Sequence, residues 1–183
     1  MKILLTLLFI FNTLFALTIN ESLLNIHAML VPKIPLMDYK FKEKLNQDAI
    51  SIIIFYDKIN YKSAKLLKRK IDVKYTDGIK EHPIKVKLVS YNKVKMVRNL
   101  KANIYYLLPS NQKNIKNVLR SAKENSSLTF SYLKHTLKDG CMISLNIGKR
   151  VKPIINLEAI KSNNISLRPV LLDISETCNC GTI

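Results

Sequence analysis

The stretch ISIIIFY, residues 50–56, decides the fold. It is short, apolar and rich in β-branched residues, which is typical of a strand that is covered on both faces. A basic amphipathic pattern follows over residues 61–71 and predicts a helix. Over residues 84–90 apolar side chains alternate with lysine, which predicts a second strand. The core of the chain therefore begins as strand, helix and strand.

The same alternation continues on both sides of this unit. Apolar residues at helical spacing predict a helix over residues 19–31, which Pro32 and Pro35 stop or kink. Further patterns predict a short helix over residues 93–101, a strand over 102–108, a helix over 111–125 and a strand over 127–133. This alternation indicates a parallel sheet with right-handed crossovers.

The last third of the chain is predicted to close the sheet with a hairpin. Two strand patterns, residues 142–147 and 151–156, face each other across a glycine-containing turn at residues 148–150. Short helices are predicted at residues 157–162 and 169–174. We therefore expect a single α/β domain, with a mixed, mostly parallel sheet that is flanked by helices and ends in an antiparallel hairpin.

The N-terminus is predicted to be a signal peptide. Lys2 is followed by the apolar run ILLTLLFIF, residues 3–11, and Ala16 is a small residue that suits a peptidase cut. We expect cleavage after Ala16, which leaves residues 17–183 as an exported domain with a short cysteine-containing tail. An uncleaved anchor is the alternative, but a membrane-spanning helix needs about 20 mostly apolar residues, and this run is shorter and interrupted.

The chain is strongly basic, with 30 lysines and arginines against 13 acidic residues and a net charge of +17. Such a charge favours anionic partners, which for an exported protein are lipid headgroups, acidic proteins or free nucleotides and not nucleic acid. The charge is spread from Lys58 to Lys123 without a single block. A solvated surface in a lysine-rich composition explains it more simply than a specific ligand does.

Three cysteines, Cys141, Cys178 and Cys180, allow one disulfide in an oxidising compartment. A bridge between Cys178 and Cys180 would close a very tight ring. The pairing of Cys141 with one tail cysteine is therefore favoured, and three free thiols are the alternative.

The sequence contains no convincing catalytic constellation. Its four glycines form neither a phosphate-binding loop, nor a dinucleotide fingerprint, nor a nucleophile elbow. Asp72, Asp77 and Glu81 cluster in sequence, but acids beside the Asp77-Gly78 turn are more often turn formers than a catalytic pair. The histidines are too dispersed for a zinc site: His27, His82 and His135. We therefore predict no catalytic residue, no cofactor and no metal.

The closing region, residues 140–174, carries the most specific pattern. It contains a Gly-x-Met-Ile strand, a turn into a strand that ends in Ile-Asn, a short alanine-containing helix, and an Ile-Ser followed by a Leu-Leu pair. These positions are Gly140, Met142, Ile143, Arg150, Ile155, Asn156, Ala159, Ile165, Ser166, Leu171 and Leu172. Their order and spacing resemble the closing region of the YfiR (HmsC) family, although Cys141 stands where that family often has a second glycine.

The resemblance implies a periplasmic, non-enzymatic regulator. Such a protein would hold a membrane-bound partner, a diguanylate cyclase or a sensor kinase, inactive through the partner's extracytoplasmic region. It would thereby restrain cyclic di-GMP and biofilm growth, and a homodimer is compatible with this role. The motif is also expected to serve the fold: Gly140 allows a close approach of the backbone, Asn156 caps the next helix, and Leu171 and Leu172 seal the core.

Two other classes of function stay open. A periplasmic solute-binding protein would hold a small anionic ligand in a basic cleft at the carboxyl ends of the parallel strands. A hydrolase would use the loop acids Asp72, Asp77 and Glu81. The solute-binding protein is the main alternative.

Overall fold

The computed structural model describes residues 19–94 and 101–182. The predicted signal peptide, with its cut after Ala16, and most of the helix predicted at residues 93–101 lie outside these residues. The α-helices are α1 (Glu21–Leu30), α2 (Tyr61–Lys74), α3 (Gln112–Glu124), α4 (Leu157–Ser162) and α5 (Pro169–Asp173). Short 3-10 segments lie at Val31–Met37, Lys42–Lys44, Lys58–Asn60, Tyr91–Lys93 and Lys134–Asp139.

Seven strands form one sheet. They are β1 (Ile50–Tyr56), β2 (Ile84–Ser90), β3 (Ile104–Leu107), β4 (Leu128–Ser131), β5 (Ile143–Ile147), β6 (Val151–Asn156) and β7 (Glu176–Cys178). Their order in the sheet is β2-β1-β3-β4-β5-β6-β7. The first five strands run parallel, β6 is antiparallel to β5, and β7 is parallel to β6. The mixed α/β fold with its closing hairpin is therefore confirmed, while β7 is an addition that the sequence did not predict.

The alternation of side chains in β1 builds one hydrophobic core on each face of the sheet. Ile52 and Ile54 pack with α1 and α2, while Ile53 and Phe55 pack with α3 on the opposite face. All four side chains are at most 3% exposed. Because both faces are covered, the strand is continuously apolar and does not alternate with polar residues.

The prolines after α1 end the helix as the sequence predicts. α1 stops at Leu30, and the chain continues as the 3-10 segment Val31–Met37, which contains both prolines. A proline has no backbone N–H to donate within an α-helix, so the chain leaves the α-helix and continues in the tighter 3-10 conformation. The closing region fastens the end of this segment, because the backbone N–H of Arg168 donates to the Met37 carbonyl at 2.7 Å.

The strand order creates two places where a site could form. After β1 the chain crosses through α2 to β2 on one side, and it then returns past β1 to β3 on the other side. The carboxyl ends of β1 and β3 thus lie at a switch point, where ligands bind in many open α/β sheets. The second place is the far edge of the sheet, where β6 and β7 lie beside the 3-10 segment Lys134–Asp139.

Candidate functional site

A polar cluster closes the switch point between β1 and β3. Asp57 directly follows β1, Ser110 lies in the loop just before α3, and Asn114 lies in the first turn of α3. The Ser110 hydroxyl donates to Asp57 Oδ2 at 2.5 Å, and the Asn114 amide donates to Ser110 Oγ at 2.9 Å. The Asn60 amide donates to the Pro109 carbonyl at 2.8 Å and joins the same two loops. The crevice is therefore bridged by the chain's own polar groups.

This cluster was missed at the level of sequence. The signal that could have revealed it is the position of Asp57 and Ser110 shortly after buried strands. The Ser110 hydroxyl contacts a carboxylate and an amide, and neither group is the imidazole base that commonly activates a serine nucleophile. The arrangement holds two loops together and places a negative charge at the mouth of the crevice.

Asn156 organises the far edge of the sheet. Its side chain is completely buried at the junction of β6 and α4. The amide nitrogen donates to the carbonyls of Leu137, at 2.9 Å, and Gly181, at 2.7 Å. The amide oxygen accepts from the backbone N–H groups of Ala159, at 3.3 Å, and Cys180, at 3.4 Å. Asn156 thus caps α4 as expected, and it also ties the C-terminal tail to the 3-10 segment Lys134–Asp139.

The cysteine pairing differs from the favoured prediction. The disulfide joins Cys178 to Cys180, whose Cα atoms are 5.4 Å apart, and Cys141 is a free thiol. The preference for a bridge to Cys141 was wrong because Cys141 is fully buried in the core beneath α3, where its Sγ contacts the Ile143 carbonyl at 3.5 Å. The tail cysteines lie instead at the half-exposed edge of the sheet. Burial raises the pKa of the Cys141 thiol to about 11.

A groove of about 610 Å³ lies between the 3-10 segment Lys134–Asp139 and β7. Lys134, His135 and Lys138 form one wall, and Glu176 and the Cys178–Cys180 disulfide form the other. Both Glu176 carboxylate oxygens accept from the Asn146 amide at 3.0 Å. The groove has a basic side and an apolar floor. Among the described residues, no ion pair joins its basic wall to Glu176.

The residues of the closing pattern lie mainly in the fold's interior. Six of them are buried in the core on the α1 side of the sheet: Met142, Ile143, Ile155, Ala159, Ile165 and Leu171. Leu172 packs against this core, and Gly140 ends the Lys134–Asp139 segment with a φ of 97°, which suits glycine. Arg150 and Ser166 are exposed. The pattern therefore describes the support behind the groove more than its surface.

In the described residues, the loop acids and the three histidines lie in separate places. Asp72 lies on α2 in an ion pair with Lys68, at 2.8 Å, while Asp77 and Glu81 are exposed in the following loop. His82 contacts Asp48, and His135 lines the groove. Across residues 19–94 and 101–182, no group of three histidine, cysteine or acidic side chains could hold a metal ion.

His27 is a buried titratable group in the core. It lies in α1, where its Nδ1 and the Tyr106 hydroxyl are hydrogen-bonded at 2.8 Å. The rings of Tyr106, Phe130 and Tyr132 surround it at centroid distances of 5.3 to 5.6 Å. Its Nε2 has no hydrogen-bond partner among the described residues. Burial lowers the pKa of His27 to about 3, so it is neutral in the folded protein at neutral pH.

The comparisons with known proteins agree with this architecture. A family model described as YfiR/HmsC-like matches residues 41–176. It therefore spans the sheet from before β1 to the first residue of β7. No curated protein matches the chain in sequence.

Solved structures share the fold at low sequence identity. A conserved domain protein from Vibrio cholerae has 16% identity and a TM-score of 0.60, over 84% of this chain and 59% of that one. An ABC domain from Streptococcus pneumoniae, solved in complex with L-Trp, has 11% identity and a TM-score of 0.51, over 79% and 60%. A ligand-free, open substrate-binding protein with adhesive properties from Clostridium difficile has 12% identity and a TM-score of 0.53, over 71% and 54%. The chain thus spans less than two thirds of each structure.

Proposed function

The chain belongs to the YfiR/HmsC-like family, and on that premise we propose that it is an exported, non-enzymatic regulator that holds a membrane-bound signalling protein inactive. The partner we propose is a diguanylate cyclase, which the regulator binds through its extracytoplasmic region. Release of this contact would raise cyclic di-GMP in the cytoplasm and promote biofilm growth. A sensor kinase could be restrained in the same way. The mechanism needs only a binding free energy that differs between two states of the partner.

The observation that carries the proposal is the family match over residues 41–176, because the family is one of regulators and not of catalysts. The match covers most of the residues that line the groove, from Lys134 to Glu176, and ends before the Cys178–Cys180 disulfide. We assign the partner contact to this groove, since Lys134 and Lys138 offer positive charge beside an apolar floor. The partner segment it suits is acidic and partly apolar.

Two features support a location outside the cytoplasm. A disulfide such as Cys178–Cys180 persists in an oxidising compartment and is rare in the cytosol. The N-terminal run that ends near Ala16 has the composition of a signal peptide. Within the described residues, no helix has the length and apolar character needed to cross a membrane. From the disulfide and the N-terminal run, we propose that the mature protein lies in the periplasm and meets its partner there.

The alternative of a periplasmic protein for a small anionic solute is supported less well. An anion at the switch point would approach the carboxylate of Asp57, which already accepts from Ser110 at 2.5 Å. The anion would have to displace the hydrogen bond between Ser110 and Asp57 and overcome the repulsion between its own charge and the Asp57 carboxylate. The geometry thus favours recognition of a protein surface over capture of an anion between β1 and β3.

The test of the proposed function is a measurement of cyclic di-GMP in cells. Deletion of the gene should raise cyclic di-GMP in a strain that expresses the partner cyclase, and should change nothing in a strain that lacks it. Wild-type protein supplied from a plasmid should restore the low level. An unchanged level after deletion, in a strain with an intact cyclase, would refute the proposal.

A pair of matched variants tests the groove itself. Lys134→Glu with Lys138→Glu should raise cyclic di-GMP nearly as far as deletion does, because both exposed lysines lie on one wall of the groove. Lys113→Glu with Lys116→Glu makes the same change of charge on α3 and should keep cyclic di-GMP low. If both variants repress equally well, the contact lies elsewhere on the protein. Equal amounts of each variant in the periplasm must be verified by immunoblot.

A further inference from the structure

α2 carries a basic stripe that faces away from the sheet. Its buried side consists of Ala64, Leu67 and Ile71. Lys62, Lys65 and Arg69 follow one another at helical spacing on the exposed side. Within the part of the chain that the structure describes, none of these three forms an ion pair with an acidic side chain. Three positive charges are therefore available on one side of this helix.

Large apolar side chains are exposed beside this stripe. Ile59 and Tyr61, just before and at the start of α2, are 68% and 43% exposed. Val73 in the last turn of α2 is 72% exposed, and the neighbouring Met29 of α1 is 42% exposed. A single exposed apolar residue needs no explanation, but here four flank a stripe of cations.

A groove of about 350 Å³ between α1 and α2 joins the two kinds of residue. Met29 and Val73 contribute apolar surface, while Arg69, Lys70 and Lys74 contribute cations. Lys70 is held by Glu21 at 2.9 Å, so Arg69 and Lys74 are the cations of this groove without such a partner in the described residues. A phosphate group at the groove would meet positive charge beside an apolar surface.

The helix on the other face of the sheet provides an internal comparison. α3 presents Lys113, Lys116 and Arg120, which are the same residue types at the same spacing as on α2. Among the residues that the structure describes, however, α3 exposes no large apolar side chain. Charge alone therefore does not distinguish the two helices, and the combination of charge with exposed apolar residues belongs to α2.

We propose that α2, together with Ile59 and Met29, docks the protein on a bilayer surface that contains anionic phospholipid. Protein surfaces that bind anionic bilayers combine clustered lysines and arginines with exposed apolar side chains that enter the headgroup region. Each lysine or arginine near an anionic surface strengthens binding by a factor of about five. This role does not depend on the identity of the regulated partner.

The shape of this surface favours a bilayer over an acidic protein as the occupant. α2 has 14 residues, and a helix of that length spans about 21 Å. Exposed apolar side chains lie at both of its ends, Ile59 and Tyr61 at one and Val73 at the other. A flat, extended surface can reach both ends and the stripe between them at the same time.

Sedimentation with lipid vesicles tests the proposal. The protein should bind vesicles of phosphatidylglycerol and phosphatidylethanolamine, should release them at high salt, and should not bind vesicles of phosphatidylcholine alone. The triple variant Lys62→Glu, Lys65→Glu and Arg69→Glu should bind at least about 100-fold more weakly. The matched triple variant Lys113→Glu, Lys116→Glu and Arg120→Glu changes the net charge equally. Its affinity for the anionic vesicles should fall only severalfold.

A second variant tests the apolar part. Ile59→Ser with Val73→Ser keeps every charge and should still weaken binding about tenfold, because the two side chains no longer enter the headgroup region. Circular dichroism must show that each variant is folded. The proposal is overturned if the α3 variant loses as much binding as the α2 variant, or if the serine variant binds as the wild type does. Absence of binding to the anionic vesicles would also overturn it and would leave an acidic protein as the partner of this surface.

Discussion

Acidification should destabilise the protein through His27. The imidazole is buried in α1 against the rings of Tyr106, Phe130 and Tyr132. Protonation would place a charge in this core and leave Nε2–H without an acceptor among the described residues. Burial accordingly lowers the pKa of His27 from 6.5 to about 3. In the unfolded chain the same residue takes up a proton with its ordinary pKa.

The sign and size of the effect follow from proton linkage. The folded pKa lies below the unfolded pKa, so the unfolded state binds the proton first as the pH falls, and stability is lost below about pH 6.5. The loss levels off below a pH of about 3, where the folded state is protonated as well. Between about pH 7 and pH 4.5 the expected loss is about 2.5 kcal/mol. For a domain of this length the loss lowers the melting temperature by roughly 5–10 °C.

Urea unfolding at the two pH values measures this loss, and the variant His27→Asn provides the reference. The asparagine amide can still contact the Tyr106 hydroxyl, but it cannot be protonated. Carboxylates that titrate in the same range are common to both proteins, so their contribution cancels in the comparison. The wild type should lose about 2.5 kcal/mol more than the variant between neutral and acid pH.

Equal losses of stability in the two proteins would refute this account. They would mean that protonated His27 finds water or an acceptor in the native state, and that the core around Tyr106 opens at little cost. A constant offset in stability between the proteins carries no such meaning, because replacement of a buried ring leaves a cavity at every pH. Only the difference in pH dependence reports on the protonation of His27.

Three further predictions concern the far edge of the sheet. Asn156→Ala should lower the free energy of unfolding by about 2–4 kcal/mol in urea titrations, because several hydrogen bonds are lost together. A loss below about 1 kcal/mol would contradict the role given to this side chain. Removal of residues 178–183 should lower the melting temperature, since Asn156 then loses the Gly181 carbonyl, and an unchanged melting temperature would mean that the tail contributes nothing. Cys141 should resist iodoacetamide in the native protein and react after unfolding, because it is buried and its pKa is raised to about 11. Rapid alkylation of the native protein would show that this core is open.

The parts of the fold that could be predicted depend on local pattern. The stretch at residues 50–56 is apolar on both faces, and the structure covers both faces with helices. The hairpin is encoded by two short strands and a turn of the right length, and the observed register pairs Ile147 with Val151. The cap formed by Asn156 follows from an amide residue directly before a helix. Each of these features needs only a few neighbouring residues.

The parts that could not be predicted depend on contacts between distant residues. β7 is three residues long and polar, and it becomes a strand because Glu176 and Thr177 pair with Ile154 and Ile155. The cysteine pairing was wrong because the burial of Cys141 is set by its place beneath α3, which the spacing of cysteines does not reveal. The cluster of Asp57 with Ser110 likewise joins two loops that are 53 positions apart in sequence.

The two proposed surfaces lie at opposite edges of the sheet, and this separation gives them compatible roles. α2 packs over β1 and β2 at one edge, while the groove borders β7 at the other. Seven strands at a spacing of about 4.8 Å separate the outer two by about 29 Å. The stripe on α2 faces away from one side of the sheet, and the groove opens on the other side, since Ile154 lines the groove while the next residue, Ile155, packs in the core beneath α1 and α2. A protein that rests on a bilayer through α2 therefore turns its groove away from the lipid, where an extracytoplasmic region of a membrane protein can reach it. The protein can then bind the bilayer and its partner at the same time. Loss of bilayer binding should weaken partner binding only because the protein is no longer concentrated at the membrane surface.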